Sequence, residues 1–157
     1  MEHLDSAGWE ANWAWSLPLI VVSVVMHVLG LGLVNERVVH ALKTVRDRPY
    51  FLPRFVVAMS GTVLAVTVLH ASEAIIWAVS YRLLGAMPDN KGAMLYSLSA
   101  MTAYGHASVF LADHWRLMGA LEALNGMLLF GLTTAFLFSM VSQTWPLGSR
   151  DRRPSLS

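Results

Sequence analysis

Three apolar stretches, residues 15–34, 55–78 and 117–141, limit this chain more than any other feature of it. Each reaches the roughly 20 helical residues needed to cross a hydrocarbon core of about 30 Å. Lipid offers the backbone no hydrogen-bond partners, so such stretches must satisfy their N–H and C=O groups internally, as helices. Composition agrees: 55% of the 157 residues are hydrophobic and 13% are charged, against about 25% charged in a typical soluble domain. The expected fold class is an all-α integral membrane protein embedded in the lipid bilayer. A formal charge of +1 provides no basic stripe for nucleic acid. The absence of cysteine excludes disulfides, a thiolate nucleophile and cysteine-ligated zinc.

Basic residues set the expected orientation. Arg37, Lys43, Arg46, Arg48 and Arg54 lie between the first two spans, and Arg150, Arg152 and Arg153 follow the third. The N-terminal region carries Glu2, Asp5 and Glu10 and no Lys or Arg. Short cytoplasmic loops concentrate Lys and Arg, which puts the N-terminus outside and the C-terminus in the cytoplasm, with three crossings of the cell (inner) membrane. Without a basic leader region the first span is expected to be retained. Trp13 and Trp15 anchor its outer end, with Pro18 in its first turns.

A fourth apolar segment, residues 92–111, holds Ser97, Ser99, Thr102, Tyr104, Gly105, His106 and Ser108, and a fourth crossing would deliver the basic tail to the wrong side. It is expected to enter from outside and return, as a short helix over about 91–102 followed by non-helical backbone. Such backbone survives at membrane depth only where protein buries it or it lines a water-filled cavity. Residues 38–50 fit either an amphipathic helix lying in the interface or a plain cytoplasmic connector, ended by Pro49 and Pro53.

The order of helix, outer loop, short helix, polar loop and glycine-containing helix, together with Leu95-Tyr96-Ser97-Leu98, Trp115-Arg116-Leu117, Gly119 to Gly126 and Leu128-Leu129-Phe130-Gly131, resembles the pore module of tetrameric potassium channels. The likeness is strongest to small prokaryotic channel proteins of the two-helix pore family and covers roughly residues 55–145. It implies a homotetramer conducting monovalent cations, the potassium ion in the family's case, without catalysis or cofactor. Residues 1–54 then form a tail, peripheral helix and connector, and residues 146–157 a short cytoplasmic tail. In the family the selectivity filter reads Thr-Val-Gly-Tyr-Gly or Thr-Leu-Gly-Tyr-Gly followed by Asp, its carbonyls replacing the hydration shell of potassium. The ungapped match is Ala103-Tyr104-Gly105-His106-Ala107 with Ser108 in place of Asp; a second register uses Thr102 as the filter threonine. Only Gly105 keeps the family residue in the ungapped register, so reduced potassium selectivity is expected. His106 reads as a ring packed behind the filter, a pH-sensitive gate or a metal ligand.

Intramembrane ionisable groups default to a functional reading because they are costly to bury. Glu73 and His70 share a helix face at i, i+3, and Glu122 lies one turn from Asn125. These four residues are expected to support the filter, with Glu73 or Glu122 holding the short helix, in the case of Glu122 either its own or that of a neighbouring subunit. A proton relay through the two carboxylates and the histidines is the alternative. By the resemblance, Gly126 and Gly131 are candidate hinges, whereas Gly119 suits packing. Thr133, Thr134 and Phe138 are expected at the inner cavity, where Phe138 gates by dewetting or instead faces lipid or a neighbour. His27 is the lone ionisable group of the first span, which speaks against steep voltage gating. Two other readings stay open: a membrane haem- or metal-binding electron-transfer subunit in which His27 and His70 meet as ligands, and a non-conducting sensing or auxiliary subunit.

Overall fold

The computed structural model describes residues 6–43, 50–105 and 109–144. Among these the chain is all-helical: α1 (Ser6–Lys43), α2 (Phe51–Leu83), α3 (Asn90–Met101), a 3-10 turn (Asp113–Trp115) and α4 (Arg116–Thr144). α1, α2 and α4 are each long and apolar enough to cross a membrane. Cross-helix contacts fix their directions. Asn12 reaches Met118, and His27 reaches Thr133, so α1 and α4 run parallel. Ser23 meets Trp77, and Thr62 meets Met140, so α2 runs opposite to both.

The bundle is apolar outside, and its interior collects polar side chains among apolar ones. Val21, Val25, Leu29 and Leu33 of α1 are exposed, as are Val57, Leu64 and Val68 of α2, whereas Asn12, Ser16, Ser23 and His27 are buried along one face of α1. Lipid is as apolar as leucine, so burying aliphatic surface brings these helices together weakly; hydrogen bonds and close packing must do it. Asn12 shows how. Its amide donates to the carbonyls of Gly8 and His114, and its oxygen accepts from the N–H of Met118, each within 2.7 Å.

Two expectations about helix ends are corrected. Pro53 sits in the first turn of α2 and does not end a helix; the first-turn N–H groups have no intrahelical acceptor, so its missing N–H costs nothing. Pro18 lies well inside α1, which begins at Ser6, with the preceding turns held by Asn12. Residues 38–43 continue α1 directly, with Leu42 buried, and do not start a separate interfacial helix; residues 44–49, including Pro49, lie outside the described residues.

α3 is wedged between α2 and α4. Asp89 caps it, its carboxylate accepting from the N–H of Gly92 at 2.7 Å, which satisfies one of the orphan donors of the first turn. The turn leading into it is closed by Gly85 at φ +67°, with the N–H of Ala86 on the carbonyl of Tyr81. Arg82 spans that turn, bonding Asn90 and the carbonyl of Met87.

Candidate functional site

α3 enters the bundle from the α2–α4 end and stops about a third of the way along α4. Its N-terminus lies beside Arg82, while the backbone of Met101 abuts Gly126 so closely that a Cβ there would overlap it. At 1.5 Å per residue Gly126 is about 15 Å along α4 from Arg116, half of a hydrocarbon core. The chain then returns to its starting level, where the N–H of Ala112 bonds the carbonyl of Ala86 at 3.0 Å. Gly126, expected as a hinge, is therefore the seat of α3, whereas Gly131 faces open space.

The returning segment begins with an unusual helix end. The N–H of Ala103 bonds the carbonyl of Ala100 and that of Tyr104 the carbonyl of Ser99, both at 3.1 Å, the paired bonds of a Schellman motif. Ala103 thus adopts φ +53°, a left-handed conformation that L residues avoid and that Gly85 occupies at the matching place after α2. Gly105 follows at φ +84°. Thr102 to Gly105 are exposed, and the ring of Tyr104 is 87% exposed. His106, Ala107 and Ser108 lie outside the described residues.

Glu122 anchors α3 within its own chain. One carboxyl oxygen accepts from the hydroxyl of Tyr81 at 2.5 Å and the other lies in a short hydrogen bond with Ser97, whose hydroxyl also reaches the carbonyl of Ala74 at 2.8 Å. Ser97 has one proton and two acceptors. A neutral Glu122 carboxyl closes the count: it donates to Ser97, Ser97 donates to Ala74, and Tyr81 donates to Glu122. Asn125, one turn deeper and fully buried, has neither amide nitrogen nor oxygen bonded.

Glu73 belongs to a different group. Its Oε1 lies 2.8 Å from Nδ1 of His27, and its Oε2 lies 3.2 Å from Nδ1 of His70. The Nε2 atoms of both rings converge on the hydroxyl of Thr133, at 3.0 and 3.1 Å. Ring centroids of His27 and His70 are 4.9 Å apart, and His70 stacks on Phe130. That spacing leaves no gap for a porphyrin plane between the histidines. Expected to hold the short helix, Glu73 instead ties α1 to α2 and α4, and Thr133, expected at an inner cavity, is buried against both rings. Thr134 and Phe138 do face outward, Phe138 with 74% of its surface exposed.

Comparison with family models, with curated proteins and with solved structures finds no match for this chain. Sequence reasoning missed Tyr81, Ser97 and Asn12 as anchors. Asn12, Ser16, Ser23 and His27 recur near multiples of the helical turn inside an apolar run, and that polar stripe was the available signal for the buried face of α1.

Proposed function

We propose that this chain is a subunit of a potassium-channel-like cation channel, in which four copies enclose one passive conduction path across the cell (inner) membrane, N-terminus outside. The observation that carries the reading is the short helix α3, which ends inside the bundle against Gly126, with the chain back at its starting end by Ala112. In lipid such a segment needs protein or a water-filled cavity around it, and Tyr104 and Phe110 are exposed on the single chain, as neighbouring copies would require. The C-terminal carbonyls of α3 carry the negative end of its dipole to mid-depth, which favours a cation there. Thr134 and Phe138 form an unpartnered stripe on α4 below that level, suited to lining the inner path.

Flux from proteoliposomes loaded with potassium or sodium tests the proposal. The native protein should pass potassium with little preference over sodium. A variant carrying Ala103→Thr, Tyr104→Val, His106→Tyr, Ala107→Gly and Ser108→Asp should gain preference for potassium. Conduction by the variant alone would assign the native chain a non-conducting role on a channel scaffold; flux from neither removes the proposal.

A further inference from the structure

The cluster beneath α3 has more lone pairs than protons. With both imidazoles neutral and Glu73 ionised, the Nδ1–H of His27 serves Glu73, the hydroxyl of Thr133 serves Nε2 of His27, and the Nε2–H of His70 serves Thr133. This leaves Nδ1 of His70 facing Oε2 of Glu73 at 3.2 Å with no hydrogen bond from either atom. Glu73 is 0% exposed, so no bulk water relieves that carboxylate oxygen, and an unpaired buried charge is costly. Protonating His70 does not repair the contact, because the pair lacks hydrogen-bond alignment.

We propose that His27, His70 and Glu73 bind a divalent transition-metal ion of the zinc class within each chain, a property independent of whether the chain conducts. The three residues each offer a ligand atom, all within 4.8 Å of one another. A tetrahedral metal at 2.0–2.1 Å from its ligands sets those atoms about 3.3 Å apart, close to the 3.2 Å between Nδ1 of His70 and Oε2 of Glu73. Two imidazoles and one carboxylate suit zinc, cobalt or nickel and not an alkali cation. Ligation through both Nδ1 atoms also uses the lone pair that Nδ1 of His70 leaves unpaired. Each ring then carries its proton on Nε2, and both donate to the two lone pairs of Thr133 Oγ1, the outer hydrogen bond that orients metal-bound histidines. The carboxylate offsets one of the two metal charges, and the ion clamps α1 to α2 and α4.

The test is titration of the purified, chelator-treated protein in detergent with Co2+, read by visible ligand-field absorption, and competition by Zn2+. The native chain should bind about one ion per chain with the absorption of a nitrogen-ligated tetrahedral site. Glu73→Gln and His70→Gln should each weaken binding at least about tenfold, while Glu122→Gln, a carboxyl in the other cluster, should leave it unchanged. Absence of a ligand-field band in the native protein overturns the proposal, and this readout needs no variant to fold. Equal binding by native protein and Glu73→Gln overturns it too, since the ion would then reside on other histidines. Neither result bears on ion flux, so failure here is distinguishable from failure of the channel reading.

Discussion

Among the described residues two carboxyl groups, Glu73 and Glu122, lie on neighbouring helices and are both inaccessible to solvent, yet they are built to opposite ends. Glu122 is surrounded by hydroxyl groups that can be ordered so that each donor has an acceptor. Glu73 is surrounded by imidazoles, and one edge of its cluster stays unpaired. Burial alone therefore does not mark a site in a membrane bundle. The closed count at Glu122 fits an anchor, and the open edge at Glu73 is where the proposed metal ion would sit.

The sharpest way to break that distinction is at the seat of the anchored helix. Gly126→Leu drives a side chain into the backbone of Met101 and should destabilise the fold by about 3 kcal/mol. Gly131→Leu, made in open space, should change stability by less than about 0.5 kcal/mol. Denaturation in detergent compares them, and equal effects would mean that α3 does not rest on α4.

Glu122→Leu strands the buried hydroxyl of Tyr81 and should cost about 2 kcal/mol. Glu122→Gln should cost under about 0.5 kcal/mol, because the amide can donate to Ser97 and its oxygen can accept from Tyr81. A large loss on Glu122→Gln would show that the carboxyl is ionised and that the closed count is mistaken.

The same conservative change at Glu73 should act with the other sign. In metal-free protein, Glu73→Gln removes the uncompensated buried charge while its oxygen keeps the bond from His27, so stability should rise by up to about 1 kcal/mol. Thermal unfolding in the presence of chelator measures this, and a clear loss would mean the open edge is already satisfied.

The smallest expected effect compares two helix ends. Gly85 and Ala103 occupy matching positive-φ positions after α2 and α3, and Ala103→Gly should stabilise by about 0.5–1 kcal/mol. Unfolding of the variant without that gain would show that residue 103 leaves the left-handed region in the assembled protein.

The spans were readable because length and apolarity are local properties, and the short α3 was readable because polar residues interrupt its apolar run. Helix rotation was not. Thr133 and Thr134 are adjacent in the sequence, but one lies buried against two histidines and the other faces outward. A helix apolar on nearly every side carries little amphipathic signal to say which face turns inward. Which of Glu73 and Glu122 holds α3 stayed open for the same reason: one carboxylate per helix names the groups without naming their partners.

By itself the sequence determined that three helices of this chain can span a bilayer, since this depends on length, hydropathy and the backbone's need for hydrogen bonds. Only the tertiary structure decided that His27, separated by 46 positions from Glu73, joins His70, Glu73 and Thr133 in one cluster. Contacts between helices depend on rotation and depth, and a one-residue difference around a helix turns a side chain by about 100°.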